Sequence, residues 1–129
     1  MTAFSNDLES KIVDHFLRNT SQTSPTTVYL ALFESDPTDA NSGTECSFTN
    51  YARQASTWTA VSAGQTSNSA DITFPAKGDA GTVTVTHAGV YDASTVGNLV
   101  VHGALTASKA LEQNDVLSFT TGALTLTLD

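Results

Sequence analysis

Alternation of threonine and valine over Thr82–Thr86, within the run "GTVTVTHAGVYDA", is the feature that most constrains the fold of this chain. Successive side chains of a β-strand point to opposite faces of a sheet, so this spacing places the threonines on one face and the valines on the other. The run therefore predicts a strand with one wet face and one buried face. The composition extends this prediction to the rest of the chain, because Thr and Ser make up 35 of 129 residues and threonine is β-branched.

Further short apolar runs follow one another after Pro25, separated by segments rich in Gly, Asn, Asp and Ser. An acidic loop over 34–45 and a turn over 62–69 are two of the predicted connections. The spacing of the runs favours a single antiparallel β-sandwich or jelly-roll-like domain, mainly β in class. The predicted strands are Thr26–Phe33, Tyr51–Val61, Ala70–Ala76, Gly81–Ala93, Gly97–Leu105, Asp115–Thr120 and Gly122–Asp129.

The N-terminal segment predicts one α-helix over about residues 6–18, with the β domain over about 26–129 of a single domain, 1–129. Asn6 is a suitable N-cap, and Glu9 stands three residues later, as a capping box requires. His15 is expected on the helix surface. Five apolar residues recur at the helical period and form one stripe: Leu8, Ile12, Val13, Phe16 and Leu17.

The charge and the cysteine content exclude several classes of protein. The net charge of −8 repels phosphate backbones and anionic lipid, so we expect neither a nucleic-acid nor a membrane partner. The single cysteine, Cys46, excludes an intramolecular disulfide framework and has no basic neighbour that would make it reactive. The N-terminus has no signal-peptide pattern, which predicts synthesis in the cytoplasm.

Three polar residues, His87, Tyr91 and Asp92, lie within six positions and invite a catalytic interpretation. A regular strand would place His87 on the face of Val85 and Tyr91, unless Gly89 marks a bulge that shifts the register. One strand cannot bring its own side chains into an acid–base pair, so a partner from elsewhere would be needed. We therefore predict no catalytic residues, and a strand followed by a turn that Asp92 opens.

Two kinds of metal site are weighed and not predicted. His87 and His102 could lie on neighbouring strands and bind a metal with His15 or an aspartate, but their spacing matches no ligand motif. The acidic loop fits the calcium-binding EF-hand pattern poorly from either Asp36 or Asp39. Counted from the latter, Asn41 takes the third position, but Gly43 takes the fifth and Asn50 the twelfth. A looser calcium loop stays open beside a solvated surface loop.

An aromatic platform for sugar rings is the remaining alternative, formed by Trp58, Tyr51 and Tyr91. Trp58 alternates with small residues along its predicted strand, so packing in the core is the simpler interpretation. No glycine-rich phosphate loop or nucleophile elbow occurs. We predict no cofactor and no enzymatic activity.

Several stretches, taken in order, resemble a family of short bacteriophage virion proteins that are labelled tail-fibre-like or structural. The resemblance covers residues 5–129, and none of its stretches is catalytic. They are "LESKIVDHFLR", "SPTTVYLALFESDPTD", "GTE", "YARQASTW", "NSADITFPA", "VTHAGVYDA", "GNLVVHGALT" and "NDVLSFTTGALTLTLD".

This resemblance implies a structural protein of the virion, made in the host cytoplasm. Capsid-cementing proteins of this size class bind in many copies across joints of the shell, where multivalency adds stability. The preferred expectation is therefore a capsid decoration or cement protein that binds the major capsid protein as a homo-oligomer, a dimer or a trimer. The alternative is a module of the tail tip or tail fibre that binds tail proteins, with or without receptor or glycan binding.

Overall fold

The computed structural model describes residue 1 and residues 3–128. It contains one helix, α1 (Asn6–Leu17), and strands that pair antiparallel throughout. The predicted mainly β, sandwich-like fold with one N-terminal helix is therefore confirmed. The strands are β1 (Ala3–Phe4), β2 (Val28–Phe33), β3 (Gln54–Ser56), β4 (Gln65–Ser67), β5 (Ile72–Thr73), β6 (Val83–Tyr91), β7 (Leu99–Leu111), β8 (Ser118–Phe119) and β9 (Thr125–Thr127).

Five strands form the main sheet, in the order β1-β7-β6-β2-β3, and two small sheets pair β4 with β9 and β5 with β8. Because side chains alternate along each strand, one face of the main sheet presents a set of apolar residues to the core. Segments around the small sheets supply the opposing layer. The resulting core contains Leu30, Leu32, Ala88, Val90 and Val101 from the main sheet, and Ile72, Phe74, Leu117 and Leu124 from the opposing segments.

The register of β6 differs from the regular strand that the sequence suggested. Val85 pairs with Lys109 but His87 pairs with Ala104, so one residue of β6 lies opposite four residues of β7, 105–108. This bulge turns His87 away from the core face of Val85 and onto the face of Tyr91. The possible bulge at Gly89 does not form, because Gly89 pairs with His102 in regular register. A Cβ at Gly89 would come within 2.8 Å of the Leu99 Cδ1 atom, so the buried Leu99 side chain would have to shift to accept it.

Other boundaries also differ from the predictions, and β3, β5, β8 and β9 are each several residues shorter than the predicted strands over 51–61, 70–76, 115–120 and 122–129. Strand β4 lies inside the predicted turn over 62–69, because Ala63 and Gly64 adopt positive φ and make the turn very short. Strand β7 continues six residues beyond its predicted end at Leu105. The N-cap of α1 is Ser5, not Asn6: the Ser5 hydroxyl accepts a hydrogen bond from the Leu8 amide at 3.2 Å. The last predicted strand position, Asp129, lies outside the described residues.

Helix α1 contains no buried residue. It rests on the edge of the main sheet near Val100, and Leu8 contacts the core. His15 is exposed, as predicted. In the described part of the chain, no helix has the length and apolar character that crossing a membrane requires.

Candidate functional site

The second face of the main sheet is covered by the acidic loop over 34–45. Phe33 and Tyr91 stack on this face beneath the loop, and Pro37 of the loop is fully buried. Gly43 lets the loop close on itself, because a Cβ there would lie 2.6 Å from both the Asp36 carbonyl oxygen and the Pro37 Cα. The acidic loop is therefore a surface loop, largely exposed to solvent as one of the two sequence alternatives expected, and buried Pro37 anchors it to the sheet.

Four side chains meet between this loop and the sheet: Asp36, Asp39, His87 and His102, here called the histidine–aspartate cluster. The two histidines lie on adjacent strands, because Gly89, two residues from His87, pairs with His102. The His102 Nε2 atom lies 3.0 Å from Asp39 Oδ1, and its Nδ1 atom lies 3.5 Å from Asp36 Oδ1. His87 Nε2 lies 4.0 Å from Asp36 Oδ2.

The histidine–aspartate cluster does not complete a catalytic constellation. Thr86 Oγ1 lies 2.8 Å from His87 Nδ1, which gives a hydroxyl beside an imidazole. The orienting carboxylate should then lie within a hydrogen bond of the other ring nitrogen. Asp36 is too far from His87 at 4.0 Å and faces His102 instead. The hydrogen-bond partner of His87 is thus Thr86 of the same strand, and Asp36, which the sequence analysis did not pair with it, comes no closer than 4.0 Å.

Neither of the two metal sites considered from the sequence, the one at His87 and His102 or the one in the acidic loop, has the geometry of a metal site in the described residues. Across residue 1 and residues 3–128, no group of three or more His, Cys, Asp or Glu side chains is arranged to hold a metal ion. The loop carboxylates instead make internal contacts, since Asp36 Oδ1 accepts the Thr38 amide at 2.9 Å and Asp39 contacts His102. The bond between Asp36 and Thr38 shapes the loop itself. The contact between Asp39 and His102 holds the loop against the sheet.

Beside the cluster, Arg53 joins three segments of the chain. Its guanidinium donates two hydrogen bonds to the Glu45 carboxylate, at 2.8 and 2.7 Å, and two to the carbonyl oxygens of Ala93 and Val96, at 3.1 and 2.7 Å. The Cζ atom lies 3.5 Å from the centroid of the Tyr91 ring. Burial of the guanidinium by itself lowers the pKa of Arg53. The hydrogen bonds and the charge of Glu45 have the larger combined effect, so the pKa lies above its usual value. Arg53 thus stays charged and acts as an anchor.

Tyr91 and Asp92 both have structural partners. The Tyr91 hydroxyl donates to Asn41 Oδ1 at 2.6 Å, and burial raises the pKa of Tyr91. The Asp92 carboxylate accepts from the Asn98 amide at 2.7 Å and from its side chain at 2.9 Å. Although burial opposes ionisation, these bonds hold the pKa of Asp92 below its usual value. Asp92 therefore opens the turn after β6, as predicted, and its carboxylate ties the start of that turn to Asn98 at its end.

The aromatic residues do not form an exposed sugar platform. Tyr91 is buried, and Tyr51 stacks on Phe74 while its hydroxyl donates to Glu45 at 2.9 Å. The Trp58 ring packs against the core, and its Nε1 donates to Ser56. The Cys46 thiol is likewise buried, and burial together with Glu34 and Glu45 raises its pKa to about 12, so it is protonated at neutral pH.

Four of the exposed large apolar residues in the described part of the chain lie together on α1: Ile12, Val13, Phe16 and Leu17. A groove of about 440 Å³ runs along the helix. Its lining includes Leu8, Ile12, Phe16, Pro25 and Val100. Phe16 and Leu17 are 76% and 81% exposed. The sequence identified the apolar stripe of this helix, but it could not show that the fold would leave four of its five residues exposed.

Comparison with known proteins gives the family of the chain. No curated protein matches it. One family model, described as podophage GP4 fiber I protein gp80, matches residues 3–127. The match covers nearly the whole fold described above, from β1 to β9, and it agrees with the resemblance to phage virion proteins seen in the sequence. The chain therefore belongs to the podophage GP4 fiber I protein gp80 family, a family of phage fibre structural proteins.

Proposed function

We propose that this protein is a structural subunit associated with the tail fibres of a podophage virion, where it binds tail proteins and further copies of itself. The observation that carries this proposal is the family match over residues 3–127, because it covers the fold and not a local motif. The polar side chains on the covered face support a structural role. Arg53, His102 and Asp92 make contacts that hold loops in place.

Attachment to the capsid is a different proposal, and it has weaker support. The expectation of a decoration or cement protein came from its small size and β-rich character, and no contact in the structure favours a capsid over a fibre. The family description names a fibre. We therefore propose the fibre as the location, with the major capsid protein as the partner to be excluded by experiment. We also propose that the protein has no enzymatic activity.

Quantitative mass spectrometry of purified virions tests the location. Labelled peptides of this chain, of the major capsid protein and of the tail proteins would give the copy number of each in intact virions and in separated heads and tails. A fibre subunit would fractionate with tails, at a copy number that follows the fibres. Recovery with tail-free heads, in proportion to the capsid subunits, would overturn the fibre proposal and support cementing.

A further inference from the structure

The turn between β6 and β7 contains a valine in an uncommon backbone conformation. Val96 has a φ of 56°, which lies in the left-handed region that β-branched side chains rarely adopt. Most of the other residues with positive φ in the described part of the chain are glycines or asparagines, and the second β-branched one, Thr38, has its hydroxyl 2.8 Å from that of Ser42. The Val96 side chain has no polar group that could stabilise its conformation in this way.

Contacts on both sides of this turn hold Val96 in place. The Arg53 guanidinium donates a hydrogen bond to the Val96 carbonyl oxygen at 2.7 Å. On the other side, the Asp92 carboxylate accepts the Asn98 amide at 2.7 Å, and Gly97 within the same turn also has a positive φ of 66°. Strained residues persist only where their surroundings over-determine the backbone, and these bonds fix the turn in that way.

The side chain that this turn carries points into solvent. Val96 is 86% exposed, more than any other of the exposed large apolar residues in the described chain. Its neighbours Ser94, Thr95 and Asn98 are exposed and polar. The strained backbone therefore gains no packing inside the molecule, and asparagine or glycine would fit the turn with less strain. Residues held under strain cluster where a protein contacts its ligands.

We propose that Val96 is a contact residue of this protein, and that its side chain enters a small apolar pocket on a different protein of the tail. The inference rests on the proposed function, because it requires a tail protein as the partner. A valine side chain has only apolar atoms, so an apolar pocket is the surface that it fits. Each copy of the chain carries a net charge of −8, which opposes the approach of a second copy and assigns the pocket to another protein.

The rigidity of the turn also suits a contact of this kind. Binding costs less conformational entropy when the contact residue is already held in its bound position. Arg53 and Asp92 hold the turn through hydrogen bonds within the chain. Val96 can therefore enter a pocket without a rearrangement of the turn that carries it.

Unfolding of two Val96 variants tests whether the backbone is strained. Asparagine adopts a positive φ readily, so Val96→Asn should raise the urea midpoint above that of the wild type, as measured by Trp58 fluorescence. Val96→Thr keeps the shape and the β-branch of the side chain, so its midpoint should stay at the wild-type value. A midpoint for Val96→Asn at or below the wild-type value would overturn the strain argument, and the proposal with it.

Competition during virion assembly tests the contact itself. Wild-type and variant chains are produced together, in equal amounts, in cells infected by a phage that lacks its own copy, and mass spectrometry gives their ratio in tails separated from purified virions. Val96→Asn and Val96→Thr should each be depleted about tenfold, the loss expected when one buried valine side chain no longer fits its pocket. The matched control Val61→Asn removes a valine that is 65% exposed elsewhere and should be incorporated like the wild type.

The outcomes separate this inference from the proposed function. Depletion of Val96→Asn, a variant expected to be more stable than the wild type, would not come from misfolding and would support the contact. Equal incorporation of Val96→Asn and wild type would overturn the inference and leave the proposed function intact. Equal depletion of Val61→Asn would show a general effect of exposed valines and overturn the assignment to Val96. Absence of the wild-type chain from the tails would overturn both the inference and the proposed function.

Discussion

Replacement of Arg53 should destabilise the protein more than any other single change of a charged side chain on the covered face. The guanidinium makes four hydrogen bonds to Glu45, Ala93 and Val96 and stacks on Tyr91. Its side chain is only 9% exposed, whereas that of Glu45 is 26% exposed. Truncation to alanine therefore leaves a partly buried carboxylate and two loop carbonyls without their donor.

The magnitude follows from these contacts. Loss of one partner from a buried ion pair costs about 3–5 kcal/mol, and the lower end applies because water can reach Glu45. We expect Arg53→Ala to cost about 3 kcal/mol in the free energy of unfolding. Arg53→Lys keeps the charge but not the planar fork, so two of the four hydrogen bonds should go, at about 1 kcal/mol each. The expected cost for lysine is about 2 kcal/mol.

A double variant separates the ion pair from the rest of the site. Arg53→Met combined with Glu45→Leu removes both charges together, so it should cost less than Arg53→Ala alone. Urea unfolding followed by the fluorescence of Trp58, the single tryptophan, gives the free energies, with a constant m-value as the sign that the unfolded states are comparable. Costs below about 0.5 kcal/mol for both single variants would place Arg53 among ordinary surface residues and refute the reasoning.

Three further predictions follow from the same contacts. Gly43→Ala should destabilise the protein by about 1–3 kcal/mol, because the new Cβ meets backbone atoms at 2.6 Å; urea unfolding checks this, and an unchanged midpoint would show that the loop yields freely. Cys46 should resist a thiol reagent in the native protein at pH 8 and react fully in urea, because burial raises its pKa to about 12. An exposed cysteine introduced by Val96→Cys is the positive control, and rapid native labelling of Cys46 would contradict the burial. The folded-state pKa of Asp92 is depressed, so its contribution to stability is present above its unfolded pKa of about 3.9 and is lost as the pH falls through the folded pKa. The stability difference between wild type and Asp92→Asn should therefore shrink on acidification, and a difference that grows below pH 4 would reverse the assigned sign.

The sequence predicted the elements that depend on local periodicity. The apolar run before Glu34 became β2, and the N-terminal stripe became α1 within one residue of its predicted bounds. The register shift in β6 could not be predicted, because it comes from the bulge over residues 105–108 of β7, some twenty positions away. Strand β4 was missed because its turn needs a positive φ at Ala63, which is uncommon for a residue other than glycine.

The candidate site was harder to predict because its contacts, like the bulge opposite β6, join residues that are far apart in the sequence. His87 and Tyr91 could be identified from the sequence, because they share a strand. Arg53 could not, because its partners Glu45, Ala93 and Val96 come from two other segments that meet only in the folded chain. A lone arginine in a Ser- and Thr-rich run looks like a surface residue until those segments are brought together.

The distribution of polar and apolar groups is consistent with a structural protein, in which polar side chains fix the loops and exposed apolar side chains can contact another protein. The charged side chains of the covered face are used within the molecule, where Arg53 and His102 fix loops to the sheet. The apolar side chains that a larger fold would bury on α1 are left outside. The net charge of −8 helps to keep the chain soluble despite this exposure, and the contiguous apolar group on α1 is the kind of surface that contacts another protein.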